Sequence, residues 1–158
     1  MSKKAKWNCN PSGAKLPRVK ETPSDGKFVR IEEDPESTDR KNIVWHVKLI
    51  DHEGPWGWCN TVGKRKLAWY IHDKMANFET MTWATIKSSR DNHSCLVADI
   101  SRDAQKRLRE INLDQYDELF SLRFSGKIRV WGIRDQRVFK ILWWDPNHTV
   151  YPSMKKHT

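Results

Sequence analysis

Arg123 and Arg129 lie six residues apart, and His148 and Tyr151 follow them closely near the end of the chain. Two guanidinium groups can hold a phosphate, and an imidazole and a phenol beside them can move protons. Cleavage of RNA by its own 2′-hydroxyl needs little more: a group to take that proton, cations on the phosphate and a proton for the leaving oxygen. Lys127 and Lys140 add cations to the same stretch, and Trp131 and Trp144 add flat rings on which bases can stack. In this reading Arg123 and Arg129 hold the scissile phosphate, His148 is the general acid or base, and Tyr151 orients or assists. His93 sits in a polar stretch, where it reads as a surface loop residue with the option of projecting into the same cleft. Neither His46, His52 and Cys59 nor His93 and Cys95 have the spacing of a zinc site, so no metal or other cofactor is expected.

Three strands must position these groups: Leu119–Phe124, Ile128–Ile133 and Val138–Trp144, with turns at Ser125-Gly126 and Asp135-Gln136. Period-two alternation sends Phe120, Leu122, Phe124, Ile128 and Val130 to one face and Arg123, Lys127, Arg129 and Trp131 to the other. A three-residue turn pairs Phe124 with Ile128 and sets Arg123 across from Arg129; a two-residue turn would carry Arg123 to the core side, where an unpaired guanidinium is costly. A two-residue Asp135-Gln136 turn pairs Val130 with Ile141 and Arg129 with Leu142. The last strand then gives Phe139, Ile141 and Trp143 to the core and Lys140 and Trp144 to the basic face.

Upstream, Ile43–Ile50 alternates like a strand, and Phe28–Glu32 does so imperfectly. Leu67, Tyr70, Ile71, Met75 and Phe78 carry helical spacing over 64–78. Thr80 or Thr82 can cap a short helix through Trp83 and Ile86, and Ser101 a third whose apolar face is Ala104, Leu108 and Ile111. Cys95–Ile100 reads as a short strand or an extended lead-in. The fold class is α+β: an antiparallel sheet of four or five strands packed on one face by two or three helices.

The chain has 158 residues, with 29 Lys+Arg against 20 Asp+Glu, nine Trp and three Cys. Of the net +9, residues 1–27 hold +5, from seven cations (Lys3, Lys4, Lys6, Lys15, Arg18, Lys20, Lys27) against Glu21 and Asp25. That Pro- and Gly-containing stretch reads as a flexible basic arm, 28–154 as one domain and 155–158 as a frayed tail. The carboxylates Glu32, Glu33, Asp34 and Glu36 read as a solvated turn that can also hold the arm. No apolar run is long enough to span a membrane, no secretory signal is expected from the lysine-containing start without an apolar stretch after it, and three cysteines without pairing logic fit a reducing cytoplasm.

Helix Ala104-x3-Leu108, then Leu119-Phe120-Ser121-Leu122-Arg123-x3-Lys127-x-Arg129-Val130, a turn, an apolar strand and a terminal His/Tyr resemble the RelE/ParE superfamily of toxins over residues 97–152. The resemblance implies helices against a curved antiparallel sheet and, for the RelE branch, metal-independent cleavage of mRNA on the ribosome, with an antitoxin as partner. Arg123 and Arg129 match the family's basic strand residues, and His148 and Tyr151 approximate its C-terminal acid/base pair. Residues 28–96 are an extension on that core. The ending Leu142-Trp143-Trp144-Asp145-Pro146-x-His148 also resembles a group of uncharacterised bacterial proteins, which adds no function. The resulting expectation is a toxin-like endoribonuclease acting on RNA. The alternatives are a non-catalytic module that binds nucleic acid or protein, and a ParE-like inhibitor of a DNA-handling enzyme.

Overall fold

A computed structural model describes residues 38–152, all within the second of two units, Met1–Ile31 and Glu32–Thr158. The basic arm, the strand expected at 28–32, the acidic cluster at 32–36 and the tail at 155–158 lie outside the described residues.

The elements run β1 (Val44–His46), a 3-10 turn (Trp58–Thr61), α1 (Arg65–Glu79), α2 (Trp83–Ser88), β2 (His93–Leu96), a second 3-10 turn (Val97–Asp99), α3 (Arg102–Glu110), β3 (Glu118–Ser125), β4 (Ile128–Asp135) and β5 (Val138–Asp145). The fold is α+β, as expected, with five strands in the order β1-β5-β4-β3-β2. Two details differ from the sequence-based expectation. The sheet is mixed, because β1 runs parallel to β5. It is also covered on both faces.

On the first face, α1 and α2 bury Ile71, Phe78, Trp83 and Ile86 against Phe120, Leu122, Phe124, Val130, Phe139, Ile141 and Trp144. On the second, Ala104 and Leu108 of α3, with Trp56, Ile100 and Val150, cover Cys95, Leu119, Trp131, Ile133, Leu142 and Trp143. Each large apolar side chain buried this way contributes about 1.5–3 kcal/mol. The helix starts follow from their caps: Thr82 Oγ1 accepts from the Thr85 amide at 3.2 Å, and Ser101 Oγ from the Ala104 amide at 3.3 Å.

The expected strand at 43–50 shortens to Val44–His46, because the backbone turns at Val47–Ile50 and re-engages β5 later, through the Asp51 amide on the Leu142 carbonyl and the Trp144 amide on the Trp56 carbonyl. Arg123 does lie opposite Arg129, but Ser125 and not Phe124 pairs with Ile128, across a register shift. The β4–β5 register departs further. Its turn is Gln136-Arg137, with Gln136 at φ 54°, so Asp135 pairs with Val138. A bulge then inserts Leu142 between Ile141, opposite Gly132, and Trp143, opposite Trp131. The bulge turns Leu142 and Trp143 to the same face, so Arg129 meets Asp145 and Val130 meets Trp144. Trp143 is core, but on the second face; Trp144 is core on the first.

Gly132 is what lets this hairpin close. A Cβ there would lie 2.4 Å from the Lys140 carbonyl oxygen and 2.7 Å from two ring carbons of Phe139. Gly132→Ala is expected to cost about 1–3 kcal/mol in urea unfolding through overpacking. An unchanged midpoint would show that the strands separate freely at the bulge.

Candidate functional site

Cross-strand pairing sets two adjoining rows on the second face at the end where β3 and β4 join, the first of them charged throughout. Arg123, Arg129 and Asp145 are successive partners across β3, β4 and β5. Asp91, just before β2, closes the row with an ion pair of 2.6 Å to Arg123 Nη1. The row therefore reads carboxylate, guanidinium, guanidinium, carboxylate. The next row is His93, Ser121, Trp131 and Trp143.

Two like charges directly opposite on neighbouring strands repel. Here the two carboxylates do not quench the repulsion equally. Asp145 is fully buried and spends its oxygens on the loop that follows: it accepts from the amides of Asn147 (3.3 Å), Thr149 (2.8 Å) and Val150 (2.9 Å), and from Thr149 Oγ1 (3.3 Å). Arg129 turns away from it, giving Nη1 to the carbonyls of Gly126 (2.9 Å) and Ile128 (3.1 Å). Its Nε is buried without a hydrogen-bond partner among the described residues. Burial, and after it the charge of Arg123, pushes the Arg129 guanidinium below its ordinary pKa. An oxyanion at the two arginines would relieve the repulsion between them.

The loop tied to Asp145 carries His148, which it holds at φ 59°, a left-handed conformation uncommon for a residue with a side chain. Trp56 Nε1 donates to Thr149 Oγ1 at 2.8 Å and the Ser101 amide to the Val150 carbonyl at 2.8 Å, so the loop is fixed from the α3 side as well. His148 is half-buried. Burial lowers its pKa below the ordinary 6.5, and the nearby charges of Arg129, His93 and Arg123 lower it further against the opposing pull of Asp145. A neutral imidazole beside two guanidinium groups can accept a proton near neutral pH.

The structure thus brings Arg123, Arg129 and His148 together. Lys127 stands exposed at the tip of the same hairpin. Lys140 shares the face but lies opposite Ile133, toward the other end of the strands, where it pairs with Asp135 at 2.6 Å. Tyr151 packs half-buried against the α3-side core. Trp131 and Trp144 are corrected outright: both are buried, Trp131 with no exposed surface, so neither ring is open to a base. The physical reason is the covering of the second face for Trp131, and the bulge at Leu142 for Trp144. His93 is the residue whose placement the sequence obscured. It is the first residue of β2, exposed at the sheet edge beside Ser121. The alternation of His93 with Cys95, which pairs with the buried Leu119, was the available signal.

No protein-family model, curated protein or solved structure matches this chain.

Proposed function

We propose that this chain is a metal-independent endoribonuclease that cuts RNA by attack of the 2′-hydroxyl on the adjacent phosphate. The observation that carries the proposal is the Arg123–Arg129 pair with an imidazole of lowered pKa held beside it by a fully engaged carboxylate. His148 takes the proton from the 2′-oxygen as the O2′–P bond forms. Arg123 and Arg129 stabilise the charge that builds on the phosphorane oxygens. The P–O5′ bond breaks, leaving a 2′,3′-cyclic phosphate on one fragment and a 5′-hydroxyl on the other. The arginines bind the phosphodiester, and the catalysis needs only side chains of this chain.

The likeness of residues 97–152 to RelE toxins supports the same chemistry. With it come the proposals of ribosome-bound mRNA as substrate and an antitoxin as partner. A cytoplasmic location is proposed with them, from the free thiols of Cys59 and Cys95. Among the described residues no helix is long and apolar enough to cross a membrane.

The test is incubation of the full chain with an end-labelled RNA oligomer and a chelator. The expected result is new ends bearing a 2′,3′-cyclic phosphate, no cut at a nucleotide whose 2′-hydroxyl is replaced by hydrogen, and a loss of at least about 100-fold in Arg129→Ala. RNA retained but never cut would replace cleavage by binding. Cutting at 2′-deoxy positions would remove the 2′-hydroxyl mechanism.

A further inference from the structure

We propose that His93 is the general acid of this site, donating the proton that the departing 5′-oxygen requires. The inference rests on the cleavage reading above and adds the group that reading leaves open. When the P–O5′ bond breaks, its electron pair stays on the 5′-oxygen, and without a proton that oxygen leaves as an alkoxide. The base has meanwhile gained the 2′-proton, so the step balances only if a second group gives one up and later takes it back from solvent.

The geometry points to His93 by position and by the engagement of its neighbours. Its row adjoins the arginine row two residues along the strands, a spacing of about 6.6 Å. That is the scale of one phosphate with a proton-transfer group on either side. His148 comes to the arginine row from the β5 side, on the loop after Asp145; His93 comes from the opposite edge of the sheet, on β2. The two are still close enough for the charge of His93 to act on His148. The other proton-bearing side chains of the two rows are engaged or buried: Asp91 is paired with Arg123, Asp145 with its loop, and Ser121, opposite His93, is buried. Lys127 is exposed at the hairpin tip, outside both rows. Tyr151 packs into the α3-side core, and Lys140 is held by Asp135 at the far end of the strands. His93 is exposed, and its ring makes no hydrogen bond or ion pair among the described residues, so the ring is free to meet a substrate.

A substrate whose 5′-oxygen is replaced by sulfur separates the roles, because a thiolate leaves without being protonated while the 2′-hydroxyl must still lose its proton. The expected result for His93→Ala, and for His93→Gln as a variant of similar size, is a loss of at least about 100-fold on ordinary RNA. On the sulfur substrate the same variants stay within about threefold of wild type. A base variant, His148→Asn, is slow on both. Equal losses of the His93 variants on both substrates, or wild-type rates on ordinary RNA, would overturn the assignment while leaving the cleavage reading intact. A wild-type protein that cuts neither substrate overturns both.

Discussion

His148→Asn is expected to lower the proposed RNA cleavage by about 10²–10⁴-fold while the protein stays folded, the range for loss of a proton-transfer group. Asparagine is the informative replacement. It tolerates the left-handed backbone that His148 occupies at φ 59°, so the loop keeps its shape and only the titrating ring is lost. Alanine would add backbone strain to the chemical deletion. The pH dependence follows from the lowered pKa. As a base His148 must be neutral, so its own limb of the kcat/KM profile lies below pH 6.5, where the folded protein takes up the proton. The stability term has the matching sign. The unfolded chain binds that proton near 6.5 while the folded chain resists, so stability falls as pH drops below 6.5 toward the folded pKa. His148→Asn removes both the acid limb in rate and that component of the stability slope. A variant with wild-type rates and the same acid limb would take His148 out of the mechanism.

Asp51→Ala is expected to cost about 3–5 kcal/mol, the penalty for removing one partner of a buried ion pair. Asp51 Oδ2 accepts from Arg107 Nε at 2.8 Å and from Trp143 Nε1 at 3.0 Å; Oδ1 accepts from Arg107 Nη2 at 2.7 Å and from the Glu53 amide at 3.1 Å. Its side chain is 3% exposed and that of Arg107 18%. One carboxylate thus joins the loop after β1 to α3 and to the strand bulge. Burial alone would raise its pKa, but the bonds from Arg107, Trp143 and Glu53 hold it below the ordinary carboxylate range. That contribution is present above pH 3.8 and fades as pH falls below it toward the folded value. The check is urea unfolding of Asp51→Ala, Arg107→Ala and the double variant. The double is expected to be no less stable than Asp51→Ala, because it no longer buries the Nε and Nη2 donors that Asp51 had filled, Nη1 alone being paired, with Glu110 at 3.1 Å. A single-variant cost under about 1 kcal/mol would show that water replaces the carboxylate there.

What the sequence carried depends on how local each signal is. The caps Thr82 and Ser101, the three helices and the β3–β4–β5 run were legible because each is set by residues within a few positions. The Arg123–Arg129 pairing was legible for a physical reason, the cost of turning a guanidinium into the core. The double covering of the sheet was also written in the chain: Ile141-Leu142-Trp143-Trp144 is apolar without interruption, as a strand buried on both faces must be. Strict alternation applied to that run sent Trp144 to solvent. A bulge depends on what lies across from it, here Gly132 and Trp131, and single-strand periodicity does not encode that. The clustering of Arg123, Arg129 and His148 was readable from alternation and from their closeness in the chain. For His93 the sequence left open a surface loop or the same cleft, because its position opposite Ser121 is set by a residue 28 positions away.

The parallel pairing of β1 with β5 has a consequence for the order in which the molecule assembles. Strands β3, β4 and β5 are joined by tight turns and can zip together early, whereas Val44 must find Val138 and Asp51 must find Trp143 across most of the described chain. Both rows and the His148 loop lie within residues 91–148, on the part expected to close first. The segment before residue 90 is then expected to arrive later, sealing α1 and α2 over the first face, locking the Asp51 junction and setting Trp56 on Thr149. Folding kinetics should therefore divide at that boundary, with substitutions in the hairpins slowing folding and substitutions around β1 and Asp51 mainly speeding unfolding.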